Sequence, residues 1–496
     1  MMRLLLLTSL CLFDVPWAFA QQPAGGFFVS PDSAHAHLLP HPFSTEQELA
    51  DSSSKNIHLR VTPFGSMAGG FALNDSARSV SNGFAGLQFD LGNHRNWRIT
   101  AGYALAGGQL PDYLSRTVDT QRYIPGYGYG IRDNPPGLYH SHYTYGSAAF
   151  KAGKFFVIDF GKGKHFWGDG HRSLILSDNA APAPYARITT SFWKIRYTNL
   201  WMQLRDLSAM QTLPDARKKY TAMHSLSYAV SKKFNVSLYE WVIWQDRDTM
   251  SRRTIDLSYA NPLIFYRPVE YTLGSPDNVI LGASFRWDPF KKLRFYGQFV
   301  LDEFNLNLFK KDNNWWGNKV GVQAGLRWCP LLNLCLRSEI NAVRPFTYTH
   351  GSSIQAWTHL NQAMAHPLGA NFVEASQTVI WMKGPWILQE QFNVAAFGRD
   401  YDANNDGLTD NFGGNLIRSY RNPYGGPFGH SLLQGELHQL IFHSLTISRT
   451  ISKSGKLEIF ATHTFRSEKV ENQTQVDHLI MLGIRTNGLL QPVQDY

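Results

Sequence analysis

From Ile57 to the end of the chain, apolar and polar residues alternate with a period of two. The runs are about nine to eleven residues long, the length a tilted strand needs to cross a bilayer. In 279–287, Leu281, Ala283, Phe285 and Trp287 share one face, with Ser284 and Arg286 on the other. In 293–301, Leu293, Phe295, Phe299 and Leu301 oppose Arg294, Tyr296 and Gln298. In 319–328, Val320, Val322, Ala324, Leu326 and Trp328 oppose Lys319, Gln323 and Arg327. The connections are uneven: 288–292 is a short turn, whereas 302–318 is a long excursion. Short turns at one end, long loops at the other, apolar outside and polar inside define a transmembrane β-barrel. A soluble sandwich would turn its apolar face inward and have more even connections. Trp97, Trp287, Trp328 and Trp386 sit at the ends of runs, where an interfacial girdle places an apolar ring with a polar edge.

Further strands are predicted near 57–64, 83–91, 96–105, 139–150, 153–161, 189–205, 219–230, 234–245, 334–343, 371–383, 386–398, 431–448, 456–466 and 476–486. With the first three that makes 17, and 189–205 is long enough to hold two. The expected fold is therefore all-β, one antiparallel barrel over 57–496 with an even strand number near 16 to 18. Residues 1–20 read as a signal peptide: Arg3, an apolar stretch from Leu4 to Phe13, and Ala18-Phe19-Ala20 before Gln21. Residues 21–56 are polar and rich in Pro, Ser and His, and form an N-terminal periplasmic segment. The capping-box spacings Ser44–Gln47 and Thr45–Glu48 predict a short helix there.

Composition narrows the choice. Charged residues make up 17%, against roughly 25% in soluble domains. Aromatics reach 14%, yet mean hydropathy is −0.27. After residue 20 no stretch approaches the roughly 18 apolar residues of a spanning helix, so a polytopic helical protein and a disordered chain are both excluded. Cys329 and Cys335 share the face of Arg327 and Arg337, and in an oxidising compartment they are expected to bridge a hairpin turn, the alternative being two free thiols.

Three stretches break the alternation with Gly, Pro, charge and aromatics. The first is Gly161-Lys-Gly-Lys-His-Phe-Trp-Gly-Asp-Gly-His-Arg-Ser173, continuing through Asp178 to Pro184. The second is Asn261-Pro-Leu-Ile-Phe-Tyr-Arg267-Pro-Val-Glu270-Tyr271, and the third Arg418-Ser-Tyr-Arg421-Asn-Pro-Tyr-Gly-Gly426. Trp167 offers a stacking face, Asp169 and Asp178 acceptors, His171 and Arg172 donors, on glycines that permit tight turns. Rings for sugar C–H faces and an Arg fork for a uronate carboxylate are what sugar binding needs. The alternative is a loop folded into the lumen, its Asp and Arg paired with each other. Arg267/Glu270 and Arg418/Arg421 carry the same two readings, the Arg267–Glu270 spacing favouring an internal ion pair.

Through Phe166–Asn179, through Phe192-Trp-Lys-Ile-Arg-Tyr-Thr-Asn199, and through Asn261-Pro with Arg267-Pro-Val-Glu270, the chain resembles the Wzi family of outer-membrane capsule-assembly proteins. Within that family it resembles the Bacteroidetes branch that includes a gliding-motility protein, RemB. The resemblance implies an 18-stranded barrel closed inside by loops and a periplasmic helical segment, and a lectin-like role in holding surface polysaccharide. The 36 residues of 21–56 leave room for one or two short helices, not a bundle.

The formal charge of +9 favours an acidic partner, capsule uronates or lipopolysaccharide phosphates, at the outer membrane of a Gram-negative cell. Nothing points to nucleic acid. Asp402, Asn404, Asp406 and Gly407 follow the opening of a Ca²⁺ loop with Asp410 at the ninth position, but Gly413 stands where a bidentate Glu belongs. An ion-free polar loop is the equal alternative. Hydrolase and nucleotide motifs are missing, and Ser173 with His171 two residues away is a weak catalytic pair. His438 and His443, five apart on a strand, point to opposite faces. The sequence thus predicts a non-enzymatic capsule or exopolysaccharide protein, with an open pore for sugars or other solutes as the alternative.

Overall fold

The computed structural model describes residues 57–486 apart from 74–77, 94–95, 122, 126–127, 130, 133–137, 208–215, 248–252, 254–256, 262–276, 304–313 and 453–456. The expected signal peptide, the segment 21–56, Arg267 and Glu270 lie outside the described residues.

Among the described residues, eighteen long strands form one closed antiparallel barrel. In chain order they are β1 (His58–Leu73), β2 (Arg78–Gly92), β3 (Trp97–Gly108), β4 (Tyr139–Ala152), β5 (Phe156–Gly163) and β6 (Ala183–Phe192). Next come β7 (Ile195–Asp206), β8 (Arg217–Ala229), β9 (Phe234–Gln245), β10 (Asn278–Phe290), β11 (Leu293–Glu303) and β12 (Lys319–Leu331). The last are β13 (Leu334–Val343), β14 (Phe372–Lys383), β15 (Trp386–Arg399), β16 (Glu436–Thr450), β17 (Leu457–Val470) and β18 (Gln473–Thr486). Each strand pairs with its chain neighbours, and β1 closes on β18 from Ser66↔Arg485 to Leu73↔His478. No strand edge is left for water or lipid, which is the condition for a sheet to span a membrane.

The run 189–205 does hold two strands. They divide at Trp193-Lys194, where Trp193 takes φ 55 and Phe192 pairs with Ile195 across the turn. A positive φ lets a two-residue hairpin follow the twist of its strands.

The wall is inside-out relative to a soluble protein. On β2, Leu87 and Phe89 are exposed while Gln88 and Asp90, which alternate with them, are buried. On β10, Phe285 and Trp287 are exposed and Arg286 is buried. The pleat's period of two sorts one strand between lipid and lumen. One rim carries the connections 93–96, 153–155, 193–194, 230–233, 291–292, 332–333, 384–385 and 451–456. Trp193, Trp287, Trp328 and Trp386 stand exposed along this short-turn rim. The opposite rim carries 109–138, 164–182, 207–216, 246–277, 304–318, 344–371 and 400–435, with short links only at 74–77 and 471–472.

The expected polar lining is only half right. Near the short-turn rim the inner face is polar, with Arg196, Thr198, Asn235, Ser237, Arg286 and Arg337. Nearer the long-loop rim it turns apolar: Leu200, Met202, Leu204, Trp241, Ile243, Ile280, Val300, Val343, Phe372 and Phe397 join one buried cluster. These residues have loops rather than water against them. A second cluster on β1–β4 joins Phe64, Phe84, Ala104, Tyr139 and Tyr143 to Leu114 and Val118 of helix α1 (Asp112–Gln121). Pro111 before its first turn, Asp112 in it, and the apolar pair four residues apart are ordinary helix signals.

Cys329 and Cys335 form a disulfide across the turn that joins β12 to β13. Non-reducing mass spectrometry of the purified protein is expected to find no free thiol on either residue. Alkylation of both without prior reduction would contradict this.

Candidate functional site: a plugged lumen and an aromatic rim

The connection between β5 and β6, residues 164–182, turns into the barrel, and the first sequence motif forms its inner turn. A two-residue bridge closes that turn, with the Trp167 amide donating to Leu176 O at 2.8 Å. Ser173 organises it: its hydroxyl donates to Trp167 O at 2.7 Å and accepts from the amides of Ile175 (3.1 Å) and Leu176 (3.2 Å). Trp167 lies buried against Tyr239 of β9, ring centroids 5.6 Å apart.

The barrel wall supplies the hydrogen bonds that this irregular backbone lacks. Gln298 of β11 donates to Trp167 O (2.8 Å) and accepts from the Leu174 amide (2.7 Å). Glu339 of β13 accepts from the amides of His171 (2.8 Å) and Arg172 (3.1 Å) and from Tyr296 (3.0 Å). Gln323 of β12 donates to Arg172 O at 2.9 Å. Glu374 of β14 meets the Arg172 guanidinium at 3.4 Å and His366 at 2.6 Å. The glycines of the motif have a steric reason. A Cβ on Gly168, at φ 142, would lie 2.3 Å from the Gln298 amide nitrogen. One on Gly170 would lie 2.4 Å from a Glu339 carboxylate oxygen.

The connection 344–371 locks the turn from the other side. Tyr348 donates to Leu174 O (2.7 Å) and Trp357 Nε1 to Ile175 O (2.8 Å). The Ser177 amide donates to Met364 O at 2.8 Å and Asn179 Nδ2 to Ala363 O at 3.0 Å. Further round the wall, Lys219 Nζ of β8 donates to Ala356 O at 2.7 Å, and the Arg205 amide of β7 to His359 Nδ1 at 3.0 Å. The two connections therefore form one plug, hydrogen-bonded to the wall from β7 round to β14.

This arrangement places the sequence candidates. Trp167, His171, Arg172 and Asp178 belong to the plug's internal contacts. Asp169 and Arg172 do not pair with each other, as the folded-in reading had it. Asp169 meets Arg294 (3.2 Å) and Arg286 (3.9 Å) of the wall, while Arg172 turns to Glu374. Charges in the loop find their counter-charges on strands of the wall, a pairing that a linear sequence hides. Burial, then the positive charges of Arg172 and Arg337, pushes His171 well below the usual histidine range, so it sits neutral. Burial lowers Lys164 to about 8 and raises Asp178, each opposed by the other's charge, and Lys164 Nζ donates to Asp178 O at 3.0 Å. The Ser173 hydroxyl is committed to its own turn, which removes the hydrolase pairing.

The third motif lies elsewhere. Residues 400–435 cover the long-loop rim, and Arg418 is tied down by Asp400 (3.3 Å) and Thr409 O (2.7 Å). Arg421, by contrast, is exposed at the edge of an aromatic shelf. There Trp316 and Tyr420 stand 4.4 Å apart by centroid, Trp315 abuts Trp316 at 5.5 Å, and His350 meets Tyr420 at 5.6 Å. From beneath, the buried Lys319 ammonium lies 4.4 Å from the Tyr420 ring centroid and 5.5 Å from that of Trp316. Tyr401, Phe412 and Tyr424 form a second aromatic run within the connection 400–435, at 5.1 Å and 4.7 Å. Burial, then the Lys319 charge, lowers His350 to about 4, leaving Arg421 as the shelf's exposed cation. Trp315, Trp316, Tyr401 and His350 were missed by the sequence reading. The signal was the density of aromatics within long connections, where no core demands them.

In 402–410 the carboxylates turn inward on their own loop. Asp402 accepts from the amides of Asp406 (3.1 Å) and Gly407 (2.8 Å), and Asp410 from the Ala403 amide (3.0 Å) and Asn404 Nδ2 (3.1 Å). Among the described residues no group of three His, Cys, Asp or Glu side chains is placed to hold a metal ion. His438 and His443 do point to opposite faces: His438 meets Glu436 and Glu468, and His443 meets Glu390.

A closed eighteen-strand barrel with a loop plug defines the class as an outer-membrane-type β-barrel. Among solved structures, Wzi of Escherichia coli, described as an outer-membrane, carbohydrate-binding β-barrel involved in group 1 capsule assembly, superposes with a TM-score of 0.51. The match covers 84% of this chain and 83% of Wzi at 12% identity, so the likeness is one of fold. OprD of Pseudomonas aeruginosa (TM-score 0.43, 9% identity, covering 89% and 98%) and OccAB4 of Acinetobacter baumannii (0.45, 7%, 88% and 99%) are looser matches on which nothing rests. No protein-family model and no curated protein sequence matches the chain.

Glu339→Ala leaves the His171 and Arg172 amides without acceptors inside the lumen, at about 1–3 kcal/mol for each unmade bond. In planar bilayers the wild-type protein is expected to carry little or no stable current, and Glu339→Ala to show opening bursts and a lower melting temperature. A large steady current from the wild type would contradict the plug.

Proposed function

We propose that the protein is a non-enzymatic outer-membrane protein that holds acidic polysaccharide at the cell surface, in capsule or exopolysaccharide assembly or attachment. The observation that carries this reading is the aromatic shelf with exposed Arg421, set on a barrel whose lumen is occupied. Stacked rings cover the apolar faces of sugars, and a guanidinium forks onto a carboxylate. The net charge of +9 favours the same acidic class of partner. In this reading the N-terminal twenty residues export the chain, the short turns face the periplasm and the shelf faces outward. An open solute pore is disfavoured by the plug. The link to gliding motility rests on the sequence resemblance alone and stays with it.

The test is binding of purified uronate-containing capsule polysaccharide, with an uncharged dextran as control. Trp316→Ala and Arg421→Ala are each expected to weaken binding about tenfold, ~1.4 kcal/mol, with melting temperature unchanged for Arg421→Ala. Added salt should weaken the wild type more than Arg421→Ala. Equal, salt-insensitive retention of both polymers would defeat the proposal.

A further inference from the structure

The outward face of the barrel is apolar along most of its girth. On β1 it presents Val61, Met67, Phe71 and Leu73, and on β10–β12 Phe285, Phe299 and Val322. From β13 to β18 the pattern breaks. Ser338 faces outward opposite Gln377, the two side chains hydrogen-bonded. One strand on, Glu390 meets His443 at 3.0 Å, and further round His478 and His463 stack at 5.7 Å. Register fixes their side. Gln377 pairs with Phe392, Phe392 with His443, His443 with Phe465, Phe465 with His478, and His463 with Ile480. Phe392 and Ile480 are exposed members of the lipid-facing row, so the whole set shares it.

These groups are not at a rim. His463 is six residues above Leu457, the first residue of β17, about 15 Å up for a strand rising ~3.3 Å per residue at a tilt near 40°. That is mid-height in a hydrocarbon band of about 25 Å. Lipid chains offer no hydrogen bonds there, and ionisable side chains at such depth ordinarily face protein or water. Another outward pair, His224 and Glu240 on β8 and β9, is already buried, in the sector where the connection 246–277 lays Tyr259 against Trp201. The stripe on β15–β18 remains partly open, with the Glu390 side chain 40% accessible.

We propose that the outward face of β15–β18 is a membrane-embedded interface with a second copy of this chain. The chemistry of the stripe selects that occupant. It carries one carboxylate at the β15 edge and imidazoles across β16, β17 and β18, and an uncharged imidazole both donates and accepts. A two-fold axis along the membrane normal, passing between β16 and β17, brings Glu390 of one copy towards the β18 imidazole of the other. The stripe is thus complementary to itself, and both copies keep the same insertion direction, as an isologous pair must.

The full-length barrel in mild detergent is expected to sediment at twice its monomer mass. Leu445 lies between Glu390 and His463 in the pairing register, close to the axis. Leu445→Cys should therefore cross-link to itself in intact outer membranes with a short bis-maleimide, while Val322→Cys on β12, four strands away, should not. Combining Glu390→Leu, His443→Phe, His463→Phe and His478→Phe should lower the dimer fraction at least tenfold. Heat-modifiable gel mobility and a β circular-dichroism spectrum report whether that variant still folds. A monomeric wild type with no Leu445→Cys product overturns the proposal. So does a dimer that survives the fourfold change in a folded barrel, and so does cross-linking to a protein of different mass.

Discussion

Irregular backbone cannot sit inside a barrel unless something answers its amides and carbonyls. Here the answer is a row of strand side chains, Gln298, Gln323, Glu339 and Glu374, whose polar ends meet the turn 167–174 one hydrogen bond at a time. Glu339 alone accepts from two successive loop amides and from Tyr296. The wall thus does for the loop what neighbouring strands do for each other. The positions of Gly168 and Gly170 follow from the same constraint, because side chains reaching that far across leave no space for a Cβ.

That row also divides the lumen by height. On the short-turn side the inner face can stay charged, since arginines there have carboxylates such as Asp169 and Asp288 within reach. On the long-loop side the plug and helix α1 bring apolar side chains inward, and the wall meets them with Leu, Ile, Val and Trp. The protein therefore has a hydrophobic core in the place where an open pore would hold water. Each fully buried side chain of that kind contributes about 1.5–3 kcal/mol relative to exposure. A mean hydropathy near zero conceals this division, because lipid-facing and core-facing residues are apolar for different reasons.

The barrel was legible because period-two alternation repeats from strand to strand, and because short and long connections take turns. Strand ends were less so. β1 continues to Leu73 through Gly65, Gly69 and Gly70, where alternation fades without pairing being lost. Helix α1 was hidden within a long connection, its two buried residues too few to stand out against strand periodicity. The motif 166–179 stands out in the sequence, but its pairing was not legible, since Glu339 and Glu374 lie some 170 and 200 residues away. Long-range partners of a loop are set by barrel closure, which no local pattern encodes. The shelf was half visible through Tyr420 and Arg421. Its other half, Trp315 and Trp316, comes from a different connection and joins it only in three dimensions.

The connections at the long-loop rim are distributed unequally. Between β17 and β18 only residues 471–472 intervene, and between β1 and β2 only 74–77. The two residues 471–472 reach little above the sheet, at most about 3.5 Å each when extended. Helix α1 leans in above these strands, its Asp112 paired with Arg78 at the head of β2, its Arg116 with Gln475 of β18, and its Tyr113 packed against Ala72, Val80 and Leu479. The stretch of wall with the shortest links thus borrows its cover from the adjoining connection.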